Sequence, residues 1–233
     1  MESIFKPATR ENIKLKIGFS GPSGSGKTYS ALLLARGIVG TEGKIALVDT
    51  EHTSSLLYSH LTNFDAAMMN PPYLVSKYVK SIENAVENKY DILIFDTISA
   101  EWNGEGGLLE QKQELDERGG NQFANWKNLT VDHQKFLAAI LNAPIHLICC
   151  MRSKQDYVLS NEGGKMKPIK VGLAPVQREG IEYEFSMLFD VDMNHRVQIS
   201  KARTHLFDGK LFTVTEEAGK ALINWANGKE KEV

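Results

Sequence analysis

Short apolar runs alternate with longer helical periods along most of this chain. The runs KLKIGFS (14–20), KIALVD (44–49), YDILIFD (90–96), IHLICCM (145–151) and MLFDVDM (187–193) read as strands, several apolar enough to be buried on both faces. Between them, helical patterning predicts helices over 28–39, 76–88, 108–118 and about 123–141. Strand, helix, strand in this order predicts an α/β fold with a mostly parallel central sheet flanked by helices. The late run RVQISKAR (196–203) reads as a further strand, so antiparallel strands are expected towards the C-terminal end. No repeat, low-complexity tract or long linker interrupts the pattern. The expected organisation is one domain over 14–228, an N-terminal arm over 1–13 and a charged, frayed tail over 229–233.

Composition changes this picture little. A chain of 233 residues, 42% hydrophobic and 24% charged, is long enough to bury the core of one α/β domain. Neither a signal-peptide pattern nor an apolar run of membrane-spanning length is visible, so a cytoplasmic protein without membrane contact is expected. The only cysteines, Cys149 and Cys150, are neighbours inside an apolar strand and read as core. The six histidines and two cysteines show no metal spacing. A net charge of −2 argues against a generally basic nucleic-acid binder, though not against a local basic patch.

The chemistry is concentrated in GPSGSGKT, residues 21–28, which satisfies G-x-x-x-x-G-K-[ST] between an apolar strand and a helix. Glycines let the backbone curl so that N–H groups converge on an anion, and the helix presents its positive end to the same phosphates. The candidate nucleotide-binding residues are therefore Gly21, Pro22, Ser23, Gly24, Ser25, Gly26, Lys27, Thr28 and Tyr29. Lys27 would reach the β- and γ-phosphates of ATP, and the Thr28 hydroxyl would hold Mg²⁺. Asp96 ends an apolar strand at the carboxyl edge, where ligands bind in such sheets, and is the second candidate for the metal. Glu51 and Asp49, after the next strand, are both candidates for the base that activates the attacking water.

IALVDTEH after a phosphate loop resembles the RecA family of recombination ATPases, and the resemblance implies that Glu51 is the catalytic base. It also implies a RecA-like P-loop NTPase fold and an oligomer, ring or filament, whose sites are completed between subunits. Lys201 and Arg203, in RVQISKAR, match the Lys-x-Arg pair that such proteins extend into a neighbour's nucleotide. GPSGSGKTYSALLLARG, VDTEH, MRSK and GLAPVQREGIEYEF together resemble small single-domain RecA-like ATPases of bacteriophages and prophages, often labelled AAA-type, some linked to single-strand annealing and recombination. That resemblance implies single-stranded DNA and recombination or replication proteins as partners. The segment 152–178 lies where RecA-like proteins place a DNA-binding loop. It holds Arg152, Lys154, Lys165, Lys167, Lys170 and Arg178 against two acids, Asp156 and Glu162, with Tyr157 available for stacking. It reads equally as a β-hairpin around Gly163 and Gly164 with a solvated basic face. RecA's glutamine sensor of the γ-phosphate has no counterpart in CCMRSK; Arg152 is the candidate replacement.

Other readings compete. A slow ATPase switch that recruits protein partners without gripping DNA fits the same loop. A small-molecule kinase is a lesser alternative, because no arginine-rich lid stands out. SKQD (153–156) approaches a guanine-recognition element, yet serine replaces its asparagine and the D-x-x-G turn is absent after Asp96. Phe5 to Ala8, FKPA, has the spacing by which some recombinases dock onto the next subunit, and reads as well as an arm packed on its own domain. Trp102 is either a stacking platform or a helix anchor.

Overall fold

A computed structural model of the chain describes residues 5, 7–119, 121–162 and 165–229, with the backbone alone over 155–172. Six helices and nine strands are found among the described residues. The strands are β1 (Lys16–Gly21), β2 (Ile45–Asp49), β3 (Asp65–Met68), β4 (Ile92–Asp96), β5 (His146–Glu162), β6 (Lys165–Pro175), β7 (Met187–Val191), β8 (Val197–Ala202) and β9 (Leu211–Phe212). The helices are α1 (Lys27–Val39), α2 (Val75–Glu87), α3 (Ser99–Asn103), α4 (Leu108–Glu117), α5 (Gln122–Asn142) and α6 (Glu216–Ala226). The sheet order is β3-β2-β4-β5-β1-β7-β8-β9, parallel from β3 to β7 and antiparallel at β8 and β9.

Alternation along the central strands fills both faces. Ile92 and Ile94 pack with α1 and α6, while Leu93 and Phe95 pack with α2 and α5. The same alternation sends Cys150 to the first side and Cys149 to the second, both fully buried. Burial pushes the Cys149 thiol up to about 12, which removes it from thiolate chemistry and fits a packing role. Helices α1 and α6 touch almost backbone to backbone: a Cβ on Gly37 would lie 2.0 Å from the Glu216 carbonyl oxygen. Only glycine fits there.

Several boundaries differ from the expected ones, each for a local reason. The strand expected over 187–193 ends at Val191, because the Asp192 carboxylate accepts from the Asn194 and Arg196 N–H groups and starts a turn. The strand expected over 145–151 continues to Glu162, pairing with β1 and β4 first and with β6 afterwards. That long β5–β6 ladder is the expected hairpin. Four elements were not anticipated, the two-residue β9 among them. Strand β3 is exposed throughout, so burial leaves no mark on DAAM. Helix α3 is a single short helix of five residues directly after β4. Helix α6 carries legible signs, Glu216 and Glu217 in its first turn and buried Ala218, Leu222 and Ala226.

At the sheet's amino edge, Lys16 is buried and its ammonium donates to the carbonyls of Ala143 and Ile145, just beyond α5. Burial lowers its pKa to about 8. Residues 7–13 of the arm are exposed and in no strand or helix. Lys6 within the FKPA motif, and 230–233 of the expected tail, lie outside the described residues.

Candidate nucleotide site

Register gathers the candidate residues at the carboxyl edge. Asp49 of β2 lies opposite Asp96 of β4, Asp96 opposite Cys150 of β5, and Gly21 of β1 opposite Arg152 of β5. These residues of four adjacent parallel strands thus lie side by side at one edge.

The loop 21–28 runs from the last residue of β1 directly into α1. Gly24 and Gly26 have φ of 79° and 90°, values a side chain resists, and they make the curl. The first turn of α1 has no side-chain cap and no acidic residue, so its N–H groups stay available to an anion. The Lys27 ammonium lies folded across the loop, donating to the Gly21 and Pro22 carbonyls at 3.0 and 2.8 Å. Ser23, Gly24 and Tyr29 are exposed, while Ser25 is buried with an unpartnered hydroxyl. Tyr29 meets Tyr58 edge to face at 6.2 Å, an aromatic pair immediately beyond Thr28.

The Thr28 hydroxyl donates to Asp96 Oδ2 at 2.6 Å, joining the two candidate metal ligands. Asp96 is 1% exposed. Burial pushes its carboxyl up to about 6; the Thr28 hydrogen bond acts in the opposite direction, and the negative charges of Glu51 and Asp49 push it further up. A buried carboxylate beside a hydroxyl suits Mg²⁺, which takes a few hard protein oxygens and completes its shell with phosphates and water. The residues present fit that ion. No group of three or more His, Cys, Asp or Glu that could hold a metal ion assembles among the described residues.

The structure separates Asp49 from Glu51. Asp49 is buried, and its carboxylate accepts from Glu51 N, Ser55 N and Ser55 Oγ at 2.6, 2.9 and 2.6 Å. It fixes the turn after β2. Glu51 stands out from that turn with its carboxylate partly open, followed by His52 and Thr53 at φ of 54° and 70°. A β-branched residue such as Thr53 rarely adopts that conformation. Glu51 Oε1 accepts from Arg152 Nε and pairs with Nη2, each at 2.8 Å. Arg152 is therefore at the site, but bonded to the candidate base.

Other expected residues are placed differently. Lys201 lies in β8, and its ammonium donates to the carbonyls of Tyr183 and Phe185, the latter at 2.5 Å. Arg203 follows the strand, exposed, and the pair lines a polar depression with His205 and Asp208. Within one chain they are not brought to the loop's ligands. Lys154 is exposed on β5 and Arg178 half-buried beyond β6. Tyr157, Lys165, Lys167 and Lys170 fall on the hairpin, where side chains lie outside the described residues. Trp102 stacks on Trp126 at 6.0 Å and meets His133 edge-on, so it anchors α3 to α5.

Two features had no sequence signal. His195, in the β7–β8 turn, donates from Nδ1 to the Ser25 carbonyl at 2.9 Å, and a Cβ on Gly26 would approach it at 3.0 Å. On α3, buried Glu101 accepts from His133 Nδ1 at 3.2 Å and from Gln177 Nε2 at 3.0 Å. Gln177 also donates to the Ile98 carbonyl, while Arg152 N donates to Ser99 Oγ. Both roots of the hairpin are thereby tied to the segment that follows Asp96.

The sequence profile of the AAA domain matches residues 13–217. The chain belongs to the AAA-domain family. The match spans the phosphate loop, Asp96, the hairpin and β8, so this AAA-domain chain is a P-loop ATPase of the AAA kind. A KaiC-like protein from the hyperthermophilic archaeon Pyrococcus horikoshii has a similar fold, with 16% identity over 89% of this chain and 88% of that one, at a TM-score of 0.50. That likeness concerns the fold. No curated protein matches the chain. None of the described helices is long and apolar enough to cross a membrane.

Proposed function

We propose that this AAA-domain chain binds ATP with Mg²⁺ and hydrolyses it, and that its sites are completed between copies acting on single-stranded DNA. The observation that carries the hydrolytic reading is the convergence of Lys27, the Thr28–Asp96 pair and Glu51 on one edge. Lys27 leaves the Gly21 and Pro22 carbonyls for the β- and γ-phosphates, and the N–H groups of the loop and α1 hold the remaining oxygens. Thr28 Oγ1 and Asp96 would hold Mg²⁺, which would supply positive charge to offset that of the phosphates. Glu51 takes a proton from the attacking water as its oxygen bonds to the γ-phosphorus and the bond to the ADP oxygen breaks. Lys201 and Arg203 stabilise the departing charge in a neighbour's site, which requires Lys201 to release its own backbone carbonyls.

The DNA reading rests on the run of basic residues in 152–178 and on a hairpin that continues beyond the sheet ladder. The resemblance to phage-type recombination and annealing ATPases points the same way. A slow switch that recruits proteins is favoured by a different observation, the engagement of Glu51, the proposed base, by Arg152 at 2.8 Å. ATP turnover across a protein-concentration series, with and without single-stranded DNA at two salt concentrations, separates them. Specific activity that rises with protein concentration and with DNA, and fades with salt, is expected. Turnover indifferent to DNA gives the switch; turnover independent of concentration removes the shared site.

A further inference from the structure

Strands β1 and β7 are parallel neighbours, with Ser20 opposite Asp190. The phosphate loop and the β7–β8 turn therefore leave the sheet side by side, and a Cβ on Gly21 would lie 2.7 Å from the Val191 carbonyl oxygen. The turn is held in one shape. Asp192 Oδ1 accepts from the N–H groups of Asn194 and Arg196 at 2.8 and 2.9 Å, and Oδ2 accepts from Arg196 Nε and Nη2 at 3.0 and 2.8 Å. Its backbone closes as well, Asp192 N–H donating to the Arg196 carbonyl and His195 N–H to the Asp192 carbonyl. From this frame His195, at φ of 62°, lays its ring against Gly26.

A carbonyl only accepts, so Nδ1 carries the proton in the 2.9 Å bond between His195 and the Ser25 carbonyl. The Ser25–Gly26 peptide is trans, and its C=O and N–H point in opposite directions. A carbonyl fastened on the outside by His195 turns the Gly26 N–H to the inside of the curl, where a phosphate loop holds its anion. Gly26 gains most from such a fastening, because a residue without Cβ turns freely about its backbone.

We propose that His195 is a positioning residue for the nucleotide, whose Nδ1–H fixes the Ser25–Gly26 peptide with the Gly26 N–H aimed at the phosphates. The inference rests on the nucleotide-site reading above. It makes the β7–β8 turn, which lies far outside the loop motif in sequence, a working part of the site. The benefit is preorganisation, since an amide already aimed is not ordered at the expense of binding. Loop amides hold the α- and β-phosphates, which ADP and ATP share, so the benefit is the same for both nucleotides.

Equilibrium binding of Mg²⁺ with ADP, and of Mg²⁺ with a non-hydrolysable ATP analogue, is measured on wild type, His195→Asn and His195→Gly, with the urea midpoint of each protein alone. Asparagine and glycine both accept a positive φ, so both keep the turn. Asparagine also carries an N–H donor where the imidazole has Nδ1, and glycine carries none. His195→Gly is expected to weaken ADP and the analogue by the same factor, about three- to tenfold, the worth of one hydrogen bond. His195→Asn is expected to restore affinity for both to near the wild-type value. Wild-type affinity in His195→Gly, or an asparagine variant as weak as the glycine one, overturns the proposal. So does a loss confined to the ATP analogue, which would put His195 at the γ-phosphate, and so do affinities that follow the urea midpoint and not the donor. Wild-type protein that binds neither nucleotide overturns the nucleotide site itself, and this inference with it.

Discussion

Asp49 and Glu51 are two residues apart and carry the same functional group, yet their surroundings give them different tasks. Three donors fill the Asp49 carboxylate and leave it a fastener for the turn, while Glu51 keeps a partly open carboxylate at the same edge. Their order in the sequence does not reveal this, because Ser55, the partner that decides it, lies beyond the strand. Lys27 and Thr28 are legible in the sequence because a phosphate loop is a local object whose spacing is its geometry, and Asp96 because it ends an apolar strand at the carboxyl edge. His195 is not, since its partner Ser25 is 170 positions away. A further single-residue effect lies at the opposite edge. His146 Nδ1 accepts from Leu15 N–H, and burial, with Lys14 and Lys16 nearby, lowers its pKa to about 4. The unfolded chain takes up a proton on this histidine as pH falls through its ordinary range, and the folded chain does not. Stability is therefore lost between the ordinary value and about 4, on the order of 1–2 kcal/mol from about pH 7 to 5. Asp96 acts in the opposite sense, since its raised carboxyl is cheaper to bury once protonated. The His146 contribution is accordingly the difference in urea midpoint between wild type and His146→Gln across that range. A midpoint difference that does not change with pH counts against it.

Among the elements, the hairpin was readable and its attachment was not. Alternation and the Gly163–Gly164 step mark β5 and β6, but nothing in the sequence shows that Gln177 and Arg152 fasten both roots to the segment after Asp96. Such a link joins residues more than fifty positions apart. Helix α3 escaped because five residues are too few for a helical period, and β3 because an exposed strand has no buried face to mark it. The Glu101–His133–Gln177 cluster is where these elements meet, and a buried carboxylate is stable only while its donors stay in place. Replacement of His133 by leucine leaves Glu101 with one side-chain donor fewer. The expected loss is about 3 kcal/mol by chemical denaturation, largely recovered in the Glu101→Gln/His133→Leu double variant. A single variant as stable as wild type shows that the cluster does not hold these elements together.

For the whole molecule, the α/β order of strands and helices predicted the architecture, and the parallel order β2-β4-β5-β1 brings distant strand ends to one edge. The fold was legible because each central strand is apolar on both sides. What a single chain does not display is the use of Lys201 and Arg203, because their proposed role lies in another copy's site. Everything proposed for assembly and DNA depends on the chemistry at this edge of the sheet, where Lys27, Thr28, Asp96 and Glu51 are proposed to make one Mg²⁺-dependent hydrolytic centre. The direct test is ATP turnover with Mg²⁺ by wild type and Glu51→Gln, with nucleotide binding measured on the same samples. Loss of a general base predicts turnover at least about a hundredfold lower in Glu51→Gln, with ATP still bound. Turnover at the wild-type rate in Glu51→Gln contradicts the account.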